Sequence, residues 1–92
     1  MLVRWTTPAA NDLTNICDYT EERFGAAQAR HAAVAIYEAA DLLKDMPHRG
    51  RSGRKLGTRE LIVSKFPFIV VYRVGTEAVE IVRIVHGSQQ WP

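Results

Sequence analysis

Ninety-two residues, 47% of them hydrophobic and 24% charged, describe one folded domain spanning 1–92, because a single core typically organises about 100–150 residues. A multidomain enzyme and a disordered chain are both excluded. The formal charge of +2 hides an asymmetry: residues 1–43 carry three basic and six acidic side chains (−3), 44–65 carry seven and two (+5), and 66–92 carry two of each (0). The positive excess therefore lies in one segment and predicts a basic face on the folded molecule.

Leu2-Val3-Arg4-Trp5 alternates apolar and polar side chains and reads as a short strand. Thr7-Pro8 then reads as a helix start, with Thr7 as N-cap and Pro8 in the first helical position. This helix is expected from about 8 to 24, with Ala9, Leu13, Ile16, Cys17, Thr20 and Phe24 as its apolar face and Asn11, Asp12, Asp18, Glu21 and Glu22 outward. Gly25 ends it. A second helix is expected over about 27–46, with Ala29, Ala33, Ile36, Ala40 and Leu43 as its packed stripe. The short connection makes the two helices an antiparallel hairpin. Pro47 stops the second helix, and 47–58 reads as a loop in which glycines alternate with arginines. Three strands follow, over 59–65, 68–74 and 78–86, separated by Phe66-Pro67 and Gly75-Thr76. In the last, Val79, Ile81 and Val85 are assigned to one face and Val82 and Ile84 to the other. The resulting fold class is α+β: an N-terminal strand, a helix hairpin, then a three-strand antiparallel meander, one sheet packed on the helices. One sheet face is covered by the hairpin, and the apolar residues of the other require partial cover from elsewhere.

The lone Cys17 can form no internal disulfide and is read as a small core residue. No run approaches a membrane span and the N-terminus lacks a basic-then-apolar leader, so a soluble cytoplasmic protein without a membrane partner is expected.

The residues with chemical potential cluster late in the chain. Arg49, Arg51, Arg54, Lys55 and Arg59 fall within eleven positions that contain no acid, a pattern suited to phosphate or to an acidic protein surface. His86, near Arg83 at the end of the last strand, is suited to act as an acid at neutral pH, or simply closes the strand. Glu60 is a general base or a strand ion-pair partner of Arg59. Trp91 offers a terminal indole that would anchor a protein interface if exposed. His31 and His48 lack metal-ligand spacing, and Gly50, Gly53 and Gly57 match no nucleotide-binding pattern, so no metal and no cofactor are expected.

Several segments together resemble the RelE/ParE superfamily of type II toxin–antitoxin toxins, also called plasmid-stabilisation proteins. They are Trp5 with Ala9-Ala10, Asp12-Leu13, Ile16 and Tyr19; Met46-Pro47-His48-Arg49-Gly50-Arg51; Leu56-Gly57-Thr58-Arg59-Glu60-Leu61; Pro67 with Ile69-Val70-Val71-Tyr72-Arg73-Val74; and Ile84-Val85-His86-Gly87 through Trp91-Pro92. The resemblance spans the chain and is strongest toward ParE. It implies a toxin paired with a cognate, ParD-like antitoxin in a hetero-oligomer, and offers two targets. RelE-like members cleave mRNA on the ribosome; here that role would fall to His86, Arg83 and Arg59. ParE-like members poison DNA gyrase by binding, with no catalytic residue. Nuclease members commonly carry an arginine on the middle meander strand and a tyrosine near the C-terminus. This chain has Ile69 at the first position and ends in Trp91-Pro92, so gyrase is the expected target. Arg49, Arg51, Arg54, Lys55, Arg59, Arg83, His86 and Trp91 are the candidates for target or antitoxin contact. A basic binding module without toxicity is the remaining alternative.

Overall fold

Thr6 sets the first change of direction. In a computed structural model that describes residues 1–89 and 91, Leu2–Trp5 form strand β1 and Thr7–Phe24 form helix α1. The helix cap is Thr6 rather than Thr7: its Oγ1 accepts the Ala9 N–H at 3.2 Å and donates to Val82 O at 3.0 Å. Pro8 thus becomes the second helical residue, where an N–H would have no intrahelical partner anyway.

Gly25 alone separates α1 from α2, Ala26–Leu42, and the two helices fold back on each other. Helix α2 stops short of Met46. The N–H groups of Leu43, Lys44 and Asp45 bond to carbonyls three residues back, a tightening common at helix ends and here imposed ahead of Pro47.

The remaining strands are β2 (Arg51–Ser52), β3 (Arg59–Ile62), β4 (Phe68–Val74) and β5 (Ala78–His86). They form one five-stranded sheet in the order β1-β5-β4-β3-β2. The β3–β4–β5 meander is antiparallel, and β1 runs parallel to β5. Strand β2 lies inside the segment expected to be a loop; two residues are too few to show a period. Strand β3 ends at Ile62 rather than Lys65, because Lys65 takes a left-handed conformation (φ 69°) that turns the chain into β4.

The helices cover one sheet face. Ala9, Ile36, Ala40 and Leu43 pack against Val70, Tyr72, Val79, Ile81 and Ile84. Ala32, not Ala33, completes the buried stripe of α2, and Phe24 points away from the core at 69% exposure. Strand β5 departs from simple alternation: Val71 pairs with Arg83 but Tyr72 with Ile81, so Val82 is an extra, bulged residue. A bulge inverts the side-chain parity beyond it. Ile84 therefore joins Val79 and Ile81 beneath the helices, whereas Val82 and Val85 turn to the opposite face with Ile69 and Val71. The partial cover that this second face requires comes from Trp91. Among the described residues no helix is long and apolar enough to cross a membrane.

Candidate functional site

Strand β1 accompanies β5 only as far as the Trp5–Ile81 pair, so the β5 edge from Val82 onward has no strand beside it. Side chains near the start of α1 take over. Besides the Thr6 bond to Val82 O, the Asp12 carboxylate accepts the Ile84 N–H at 2.9 Å and the Arg83 guanidinium at 2.6 Å (Nε) and 3.0 Å (Nη2). Asp12 was expected to face outward, yet it lies three residues after Ala9 and four before Ile16, spacings that place it on the inner stripe. An acid in that stripe is the signal that a fixed cation awaits it. Hydrogen bonding to Asp12, with its negative charge, raises the Arg83 pKa above the ordinary guanidinium value against the opposing effect of burial. The held guanidinium lies over the Trp91 ring, 5.8 Å from its centroid, within cation–π range.

The basic segment is organised by one buried acid. Glu60, with its side chain 1% exposed, does not pair with Arg59. Strand alternation turns Glu60 to the face away from the helices, beside Arg51, its cross-strand partner on β2. There it meets Arg51 Nη2 at 3.3 Å and Arg54 Nε at 3.6 Å, and accepts the Arg54 backbone N–H at 2.9 Å. Arg59 turns the other way and donates to Gly50 O at 2.7 Å and His48 O at 3.4 Å. Arg54 also reaches Gln89 O at 3.2 Å, tying the segment to the C-terminal stretch. Arg49 and Lys55 are exposed, Arg49 lying 3.9 Å from Met46 Sδ. Because the acid is buried beneath this segment, the charge it presents to solvent is positive.

Arg59, Arg83 and His86, the set suggested for acid and charge-stabilising roles, are not gathered at one point. Arg59 lies across from Tyr72 and Arg83 across from Val71; these adjacent β4 residues face opposite sides of the sheet, and β4 separates the two arginines. His86 is exposed; its Nδ1 accepts the Ser88 N–H at 3.1 Å and lies 2.7 Å from Ser88 Oγ. Its ring meets Phe68 edge-on, with centroids 6.0 Å apart. Trp91 is not a free terminal indole: it is half-buried against Ile69, Val71 and Val85. Among the described residues no group of three His, Cys, Asp or Glu side chains is placed to hold a metal ion.

A separate feature lies on the helix side. Tyr19, Phe24, Phe66, Pro67, Phe68 and His86 help to line an apolar groove of about 440 Å³ between the helices and the β3–β4 turn. Tyr19 and Phe24 are 57% and 69% exposed, and the Arg23 guanidinium sits 4.9 Å from the Tyr19 ring centroid. Its aromatic walls come from segments far apart in the chain, Tyr19 and Phe24 from α1 and Phe66 and Phe68 from around the β3–β4 turn. A groove of this kind suits the apolar face of an amphipathic segment.

Comparison with known proteins gives consistent relatives. The family model described as "ParE toxin of type II toxin-antitoxin system, parDE" matches residues 3–91. The chain is 41% identical over 90 residues to a protein named Y4kP from Sinorhizobium fredii, covering 98% of this chain and 92% of that one. It is 39% identical over 87 residues to the toxin RelE2 of Caulobacter vibrioides, covering 95% and 96%. Among solved structures, the chromosomal ParDE toxin–antitoxin system of P. aeruginosa aligns with a TM-score of 0.86 at 31% identity, covering 94% of this chain and 95% of the matched one.

Proposed function

The chain belongs to the ParE toxin family of type II toxin–antitoxin systems, and on that footing we propose that it arrests growth by binding DNA gyrase and is neutralised by a cognate antitoxin seated in its apolar groove. The observation that carries the binding mechanism is how the candidate cations are engaged. Arg83 has two nitrogens on Asp12, Arg59 donates to main-chain carbonyls, and the strand position held by an arginine in nuclease members is Ile69, 5% exposed in an apolar patch beside Trp91. Stabilising a phosphorane would require free guanidinium groups converging on one point. A toxin that acts by contact needs only a stable, complementary surface, and the basic segment with its single buried acid supplies one.

The antitoxin half of the proposal rests on the groove. Tyr19, Phe24, Phe66 and Phe68 leave apolar area uncovered, and a small domain of this kind gains stability from a partner that covers it. A type II antitoxin is a protein, and an amphipathic segment of it would lay its apolar side there. Expression in a bacterial host tests the proposal. Growth arrest with DNA-damage signalling and intact mRNA is expected, with relief on co-expression of the antitoxin. Codon-specific mRNA cleavage on ribosomes would replace gyrase by the ribosome, the target of RelE-like members.

A further inference from the structure

Leu56 stands apart from every other apolar side chain described. It is 99% exposed, whereas the other exposed large hydrophobic residues range from 37% to 69%. A single exposed leucine is unremarkable on a mobile loop, where it can fold back onto the surface. Here the backbone beneath it is tied down. The Gly53 N–H donates to Thr58 O at 2.8 Å, and the N–H and hydroxyl of Thr58 donate to Lys55 O at 3.1 and 2.6 Å. The Arg54 N–H is held by the buried Glu60 carboxylate at 2.9 Å. Gly57 takes φ +82°, a conformation that side-chain-bearing residues rarely adopt. The fold thus commits a buried carboxylate, a buried threonine and a left-handed glycine to a turn whose tip touches nothing.

The flanks define what the tip would meet. Arg51 and Arg54 are 55% and 39% exposed and Lys55 is exposed, while the nearest acid, Glu60, is at 1%. A complementary surface therefore has an apolar pocket with an acidic rim. Phosphate binding alone would use the cations and leave the leucine idle. A rigid apolar tip gains most from a shaped pocket, because little conformational freedom is lost on docking. The turn also lies away from the groove: it enters β3 at Arg59, whereas the groove meets the chain beyond the other end of β3, at Phe66 to Phe68. A partner filling the groove leaves Leu56 free.

We infer that Leu56 is the apolar anchor by which this basic turn seats in an acid-rimmed pocket of a protein target, separately from the antitoxin groove. The inference rests on the gyrase reading above and deepens it. Its test compares inhibition of purified DNA gyrase supercoiling by the wild-type chain, Leu56→Asp and Leu56→Met. With the side chain fully in solvent, both variants should keep the wild-type melting temperature. Leu56→Asp should raise the half-inhibitory concentration about tenfold or more, the scale of losing one anchoring contact. Leu56→Met, which keeps an apolar tip of similar volume, should inhibit much as the wild type does. Equal inhibition by Leu56→Asp and wild type would overturn the inference and leave the gyrase reading standing. A wild-type chain that does not inhibit gyrase would overturn both. Direct binding of a short DNA duplex that Leu56→Asp abolishes would overturn the protein pocket in favour of a leucine wedge in DNA.

Discussion

The carboxylate of Asp12 holds Arg83 by two nitrogens and at the same time caps the Ile84 N–H, so one side chain of α1 fixes both the bulged edge of β5 and the cation above Trp91. With the side chains 15% and 33% exposed, the pair is partly buried and charge-assisted. Asp12→Ala or Arg83→Ala should each lower stability by about 2 kcal/mol, the scale of a hydrogen-bonded charge losing its partner. The melting temperature should then fall by roughly 8–16 °C for a domain of this size. The double substitution should cost clearly less than the sum of the two; strict additivity in chemical denaturation would show that the pair does not act as a unit. The sign of the Arg83 shift also matters. A raised pKa means that the contribution of this charge is lost only as pH rises through the folded-state value, above the ordinary guanidinium range. Arg83 itself should therefore introduce no pH dependence between pH 6 and 9 (~3 units, far below its titration).

Tyr72 joins the core to the start of the basic segment. Fully buried, it donates to Pro47 O at 2.8 Å and accepts the Gly50 N–H at 2.8 Å. Tyr72→Phe should cost about 1–3 kcal/mol, because it strands two main-chain groups without filling any space. Gly50→Ala should also destabilise, since a Cβ there would sit 2.6 Å from Tyr72 Oη and 2.9 Å from Glu60 O. Combining the two should not rescue stability, because the Glu60 carbonyl remains in the way. Urea midpoints for the three variants check this; a double variant as stable as the wild type would contradict it.

Glu60 should control the order of the turn more than the stability of the core. Glu60→Ala removes the acceptor of the Arg54 N–H and the counter-charge of two arginines that can return to water. A modest loss of about 1–2 kcal/mol is expected, with a large rise in hydrogen exchange at the Arg54 amide. Unchanged exchange at that amide would show that the turn is held by other means. If the turn presents Leu56 as inferred, the same variant should weaken target inhibition without touching the leucine.

Cys17 should be a sluggish thiol. Burial, assisted by Asp18 and Glu21, pushes its pKa above the ordinary value, so the neutral form is favoured in the fold. The associated stability is present at and below the ordinary thiol pKa and is lost as pH rises through the raised value. Alkylation by iodoacetamide should be slower than for free cysteine at pH 8, with the midpoint of its pH–rate curve displaced upward. A rate equal to that of the free thiol would contradict this.

Much of the architecture is legible in the residues. Strands β4 and β5 lie where the β-branched and aromatic runs place them, because Pro67 and Gly75-Thr76 punctuate them, and the single-glycine link turns α1 back onto α2. What escapes is tertiary. The Val82 bulge cannot be read from Val-Arg-Ile-Val, which alternates plausibly in either parity; only its meeting with Thr6 and Asp12 at the end of β1 selects one. Glu60 has Arg59 beside it in sequence, yet neighbouring strand residues face opposite sides, so its partners lie on β2 and the following turn. The basic segment was visible as charge, but its organisation around a buried acid was not. The groove needs Tyr19 and Phe24 from α1 to meet Phe66 and Phe68 from the meander, a juxtaposition that no local window contains.

Inhibition by contact with gyrase is measured most directly by placing the purified chain in two assays side by side: supercoiling of relaxed plasmid by DNA gyrase, and cleavage of mRNA programmed on ribosomes. Concentration-dependent loss of supercoiling, reversed by the antitoxin, is expected with the mRNA intact. Ribosome-dependent mRNA cleavage with undiminished supercoiling would contradict inhibition by contact with gyrase.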